Sequence, residues 1–330
     1  MRLPYPFIQL PLSFDAERLA EEVLAIEEQA WRPHPQGYAG NTMLPLVAVN
    51  GDPANEEFRG EMQPTPHLER CPYVLQAISS LGATIGRTRL MRLDGNAEVS
   101  QHADSAYYWT ERVRTHVPIV TQPSVRFECG DAAVNMAAGQ CWIFDTWRLH
   151  RVINAHETRR IHLVVDTVGG ARFWQLVEAG RPQPAAAQTA PNWAPKLIAF
   201  QPGAEPPPIA FEAFNIPNVM SPWEVSSQIS TLLGEASAHP NSNAARKTAS
   251  IFIRDWRALW AAFGDGDEGV QFYAQRLQRF LSEFQRDSQG IQLPNSMMLF
   301  DAVAAAVGAA ALAQNRLVQG ARVPAMARGP

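Results

Sequence analysis

Cysteine is scarce in this 330-residue chain: Cys71, Cys129 and Cys141 are far apart and form no CxxC pair. An odd, scattered set excludes a disulfide framework and a thiolate zinc knot, and it fits a reducing, cytoplasmic setting. An excess of one charge is also missing. The formal net charge is −4, so nothing draws the chain to nucleic acid or to an anionic membrane, and neither is expected as a partner. Long hydrophobic runs are absent. MRLPYPFIQLPLSFDAERL is interrupted by prolines at 4, 6 and 11, which leaves no secretory h-region. The late segment MLFDAVAAAVGAAALAQNRL is mostly alanine and carries Asp301 and Gln314; it is too weakly apolar to span a bilayer and is expected as a packed helix. No repeat of solenoid length occurs. What the chain does have is 46% apolar residues, enough for one large core or two modest ones.

The organisation follows from periodicity. Residues 14–30 place Phe14, Leu19, Val23, Leu24 and Ile26 at helical spacing with carboxylates on the other face, which predicts an amphipathic helix. LPLVAVNGDP predicts a strand ending in a turn, and CPYVLQAISSLG a short helix closed by Gly82. From about residue 84 the period becomes two: TRLMRLD, EVSQHAD, RVRTHVPIV, SVRFECG, AAVNMAAG, QCWIFDT, HRVINA and RRIHLVVDTV are strand candidates separated by turn residues. Many short strands of this kind indicate a sandwich or barrel. After GGARFWQLVEAG the composition turns to proline and alanine, as in an extended linker or wrapping arm. Beyond it, Ser221 and Pro222 make an N-cap and N1 pair for SPWEVSSQISTLLGEA, and two more segments have helical period. The expected division is 1–178 for the strand domain with its N-terminal helices, 179–210 for a Pro/Ala-rich linker and 211–330 for a small helical domain.

Five of the eight histidines, His102, His116, His150, His156 and His162, lie in the strand-rich middle. Residues i and i+2 of a strand share a face, so HAD projects His102 and Asp104 toward one point. A third ligand from another strand would complete a two-histidine, one-carboxylate set, which leaves positions open and suits non-haem Fe(II). His150, delivered after GQCWIFDTWRL, is the candidate. Alone, an HxD pair or a loop histidine reads more readily as a satisfied surface group; the arginines shift the balance. In RRIHLVVD, Arg160, His162 and Val164 share a face opposite Ile161, Leu163 and Val165. In ERVRTHVPIV, Arg112, Arg114 and His116 share a face opposite Val113, Thr115 and Val117. A buried guanidinium needs an anion, and it grips a carboxylate through two donors as lysine cannot. 2-Oxoglutarate is the natural small carboxylate. Internal pairing with Glu128, Asp145 or Asp166 is the alternative for these arginines. Tyr107, Tyr108 and Trp109 lie beside the metal motif, either to close over a small ligand or to pack as core.

With these residues in view, the chain resembles the aspartyl/asparaginyl β-hydroxylase-like 2-oxoglutarate dioxygenases, a family that includes free-proline cis-hydroxylases. HAD at 102–104 is similar to the family's HxD ligands, RTHVPIV at 114–120 to its RxH strand, and GQCWIFD to its GxxWxFD strand. LH at 149–150 is similar to the distal ligand and RRIHLVVD at 159–166 to the RxHLVVD strand. The likeness covers about residues 84–168 and extends to the C-terminal third only in that such enzymes also append helices. It implies a mainly β fold with flanking helices: a double-stranded β-helix, the jelly-roll core also seen in cupins, plus a small C-terminal helical domain. It further implies Fe(II) held by His102, Asp104 and His150, and 2-oxoglutarate held by Arg160 and Arg114 with His116 and His162 beside them. Asp145 is expected to orient a ligand imidazole. The activity implied is hydroxylation of an amino acid, free or within a peptide (Asp/Asn-like or Pro-like), with O2 as oxidant and with Arg112, Tyr107 and Trp109 as candidate substrate contacts. A homodimer through the C-terminal helices is a further expectation. The competing classes are a cupin-like hydrolase or isomerase using zinc or manganese without 2-oxoglutarate, and a catalytically silent binding protein on the same barrel.

Overall fold

The computed structural model describes residues 1–184, 192–205 and 207–313. Part of the expected linker, 185–191 and 206, and the end of the expected helical domain and of its alanine-rich segment, 314–330, lie outside the described residues. The chain divides into two compact units, Met1–Asp104 with Glu111–Asn215, and Ser105–Thr110 with the chain from Ile216 onward.

In the first unit every stretch with period two becomes a strand. The strands are β1 (Phe7–Phe14), β2 (Asn41–Val49), β3 (Thr84–Leu93), β4 (Ala97–His102), β5 (Val113–Val120), β6 (Val125–Cys129), β7 (Ala132–Val134), β8 (Gln140–Phe144), β9 (His150–Asn154) and β10 (Arg160–Gly169). They form two sheets, a large one in the order β1-β8-β5-β10-β3-β2 with short additions and a small one in the order β4-β9-β6-β7. Neighbours among these ten run antiparallel. Phe7, Leu93, Phe127, Cys129, Trp142, Phe144 and Val152 form one buried cluster drawn from both sheets, as expected of a double-stranded β-helix.

Helix α1 (Ala16–Leu24) starts on Asp15, whose side chain accepts the Arg18 N–H at 3.1 Å. Helix α2 (Pro72–Ser80) has no local cap; the Glu22 carboxylate of α1 accepts its first N–H groups, from Tyr73 at 3.0 Å and Val74 at 3.2 Å. Negative charge at those orphan donors ties the two helices together. Helix α3 (Ala171–Glu178) follows β10.

The elements differ from expectation at several points. Residues 7–14, for which no element was expected, form β1. Pro11 falls where the register with β8 breaks between Gln9 and Ser13, so its missing N–H costs no ladder bond. The first helix ends at Leu24, and Glu28–Ala30 is a separate short turn. The segment 179–210, expected as an extended linker or wrapping arm, pairs with the sheet where it is described. Arg181–Gln183 and Lys196–Ile198 pair with β1, and Ala210–Phe211 pairs with β3.

The second unit contains α4 (Pro222–Glu235), α5 (Ser242–Phe263), α6 (Val270–Asp287) and α7 (Leu299–Val303), which runs on as a π-helical turn over Ala304–Gly308. Ser221 caps α4 by accepting the Glu224 N–H, with Pro222 in the first turn. Phe252, Trp256, Tyr273, Phe280 and Phe284 form its buried centre, Phe252 and Phe280 stacking at 4.0 Å. Among the described residues no helix is long and apolar enough to cross a membrane.

Candidate metal centre

The last residue of β4 and the first of β9 are both histidine, and the strand register sets them opposite each other: His102 faces His150. Their ring centroids are 4.2 Å apart. Asp104 lies just beyond β4, where its N–H donates to the Thr146 carbonyl at 2.9 Å. Ligand atoms of His102, Asp104 and His150 all lie within 4.8 Å of one another.

Each imidazole is fixed by its own backbone two residues earlier. His102 Nδ1 meets the Ser100 carbonyl at 2.8 Å and His150 Nδ1 meets the Arg148 carbonyl at 2.9 Å. A carbonyl only accepts, so Nδ1 carries the proton on both rings and Nε2 keeps its lone pair for a metal. Burial pushes the His150 pKa down to about 4, which keeps that ring neutral. Burial raises the Asp104 pKa, but Arg114 and the two histidines outweigh it, and the carboxyl stays below its usual range. Its Oδ2 is buried without a hydrogen-bond partner, although Arg114 Nη1 lies 3.1 Å away as an ion-pair contact. Two imidazoles with Nε2 open, one carboxylate and an orphaned ligand oxygen fit a divalent ion such as Fe(II).

Next to the triad is a second buried group. The Phe144 ring packs edge-on to His150 at 4.9 Å and to His116 at 5.4 Å, so one side chain separates the triad from the pocket behind it. In that pocket Arg160 Nη2 donates to His162 Nδ1 at 2.8 Å, and His116 Nδ1 is 3.3 Å from the same atom. His162 Nδ1 therefore accepts, and its Nε2 bears the proton. Arg160 Nε, His162 Nε2 and His116 Nε2 are buried without partners. Arg160 is 4% exposed and forms no ion pair among the described residues; burial alone draws its pKa down to about 9. Both histidines are held well below the usual imidazole range by burial and by the Arg160 charge.

A sequence profile of the aspartyl/asparaginyl β-hydroxylase family matches residues 17–169, the stretch that holds the triad and Arg160. This stretch belongs to that family. L-proline cis-3-hydroxylase 1 of a Streptomyces species is 26% identical over 176 residues, 49% of this chain and 60% of that enzyme. L-proline cis-3-hydroxylase 2, also from Streptomyces, is 27% identical over 132 residues, 37% of this chain and 45% of that one. The match thus spans three fifths or less of these curated relatives. A 2OG-Fe(II) oxygenase family oxidoreductase from Burkholderia pseudomallei covers 51% of this chain and 87% of its own, at 15% identity and a TM-score of 0.35.

Within this hydroxylase-family stretch the structure reassigns several residues. Arg114 does not face the Arg160 pocket with a free guanidinium: its Nε donates to Asp166 at 3.1 Å and its Nη1 contacts Asp104. Arg112, expected at the substrate, is buried with Nε donating to Glu212 at 2.8 Å and Nη2 to the Asn215 carbonyl at 3.3 Å. Tyr107 and Trp109, also expected there, are each 6% exposed and belong to the second unit, where the Tyr107 hydroxyl donates to Glu224. Asp145 touches no ligand imidazole. It accepts the Trp147 N–H at 3.0 Å and pairs with Arg148 at 3.1 Å, forming the turn before β9. His156 accepts the Thr158 N–H and stays apart from the triad. The sequence reading missed the loop before β2, where Tyr38 packs 6.0 Å from the His102 ring and 5.6 Å from His34. A loop residue among prolines and glycines carries no periodic signal.

Proposed function

We propose that this protein is an Fe(II)- and 2-oxoglutarate-dependent dioxygenase that hydroxylates an amino acid. One observation carries the reading: beside the His102–Asp104–His150 donor set stands a buried guanidinium, Arg160, with no carboxylate of its own among the described residues. Bound in the triad, Fe(II) with 2-oxoglutarate and O2 supplies the oxidising power to hydroxylate an unactivated carbon. The protein's part is placement. Arg160 grips the distal carboxylate of 2-oxoglutarate, and the His162 Nε2 proton adds a second donor. His116 shapes the same pocket, and the rings of Phe127 and Phe144, which pack on it at 5.4 Å, keep it apolar around the charge. A non-oxidative metalloenzyme on this barrel would leave the Arg160 charge without a purpose.

The proline hydroxylases among its relatives support a free amino acid as substrate, with proline the first candidate and a peptide residue the second. All three cysteines are unpaired and buried, in keeping with a reducing, cytoplasmic compartment. A homodimer through the helical unit would cover Trp223 and Phe272, which are 71% and 49% exposed. The test is aerobic incubation with Fe(II), 2-oxoglutarate and single amino acids. Succinate formed together with a product heavier by one oxygen atom supports the reading; 2-oxoglutarate left intact with every amino acid and with proline-containing peptides refutes it.

A further inference from the structure

Asp166 has no role in the reading above, yet it is fully buried on β10, in register with Arg114 of β5. Arg114 Nε donates to its Oδ1 at 3.1 Å, and Arg89 Nη2 lies 3.9 Å from its Oδ2. The opposite end of the Arg114 guanidinium, Nη1, is 3.1 Å from Asp104 Oδ2. One guanidinium thus bridges two carboxylates, one that belongs to the donor set and one that does not. A planar fork with donors on separate edges can hold two carboxylates at a fixed spacing; the point charge of lysine cannot.

We infer that Asp166 is a positioning residue for the metal centre, acting through Arg114 to set the orientation of the Asp104 carboxylate. The inference rests on reading His102, Asp104 and His150 as the metal ligands. With Nε anchored on Asp166, the plane of the guanidinium is fixed and Nη1 is presented to Asp104 Oδ2. Without Asp166 that anchor is gone, and the fork is free to close on Asp104 in competition with the ion. Partners that orient metal ligands in this way typically account for about 10- to 100-fold in metal affinity.

The experiment uses the full chain and cobalt(II), a redox-stable probe whose visible bands report ligand geometry. Asp166→Asn keeps the size of the side chain and removes its charge; Arg114→Lys keeps the charge and removes the fork. Both are expected to weaken cobalt binding about tenfold or more and to change the visible spectrum. A purely structural role would lower the melting temperature of the metal-free protein but leave affinity and spectrum at parental values, and that result overturns the inference. If Asp166→Asn does not fold, Arg114→Lys decides by the same criteria. A parent protein that takes up no cobalt brings down the functional reading and this inference together, whereas unaffected variants beside a parent that binds bring down the inference alone.

Discussion

Replacing Arg160 by methionine should separate stability from co-substrate binding, because the two respond in opposite directions. In the ligand-free protein the guanidinium is buried, and desolvation draws its pKa well below the usual arginine value, to about 9. At about 1.4 kcal/mol per pH unit, that drop corresponds to a cost of about 5 kcal/mol for holding the cation there. One hydrogen bond to His162 offsets part of it. Methionine fills similar length without the charge, and such replacements of buried charge are often neutral or stabilising by about 1–4 kcal/mol. Arg160→Met is therefore expected to melt at or above the parental temperature without ligand. Binding of 2-oxoglutarate should suffer, because removing one partner of a buried charge pair costs about 2–5 kcal/mol, or roughly 30-fold to several thousand-fold in affinity. Calorimetric titration of the manganese(II)-loaded protein with 2-oxoglutarate, alongside thermal melts of the metal-free protein, reads both quantities. A variant that loses stability and keeps its affinity for 2-oxoglutarate would show that Arg160 serves the fold, and the argument from its missing carboxylate would fail.

His102→Ala and His150→Ala should each abolish stoichiometric cobalt uptake, while His156→Ala binds as the parent does; metal loss in the last variant would mean the wrong third ligand. Arg112→Ala leaves Glu212 buried without its guanidinium partner, so a loss of about 3–5 kcal/mol in chemical denaturation is expected with metal affinity unchanged. Unchanged stability with a raised substrate KM would return Arg112 to the substrate site. The metal-free protein should also be acid-sensitive. In the unfolded chain His116 and His162 titrate near 6.5, and in the fold burial and Arg160 keep both neutral well below that. Below about pH 6.5 the unfolded state therefore binds the protons, and stability present above that value is lost as the pH falls. Thermal melts from pH 7.5 to about pH 5 should show the decline, and His162→Asn should flatten it; a pH-independent melt contradicts the assignment.

The eight strands predicted from residue 84 onward were legible because a half-buried strand forces alternation, and the same alternation placed Arg160 and His162 on one inward face. The proposed triad could be anticipated because His102 and Asp104 are i and i+2 around the end of one strand. What alternation does not carry is the identity of the group that meets a side chain. Arg112 and Arg160 look equivalent in the sequence, but Glu212 comes to Arg112 from 100 residues away, while among the described residues no carboxylate comes to Arg160. The partners of the ligand imidazoles were illegible for another reason: they are backbone carbonyls, which have no residue signature, so an aspartate was expected where Ser100 and Arg148 supply the oxygen. The six-residue excursion Ser105–Thr110 into the second unit has no mark in composition, and the aromatic run there looked like part of the site. β1 was hidden by Pro11, which is tolerated only because the ladder skips at that point.

The central claim is that the triad and Arg160 act together on one co-substrate. It is tested most directly by adding Fe(II) and then 2-oxoglutarate to the protein without oxygen and recording the visible spectrum. A charge-transfer band of chelated 2-oxoglutarate should appear in the parent and require far more 2-oxoglutarate in Arg160→Met. No band, with zinc or manganese bound tightly in the same site, would contradict the account.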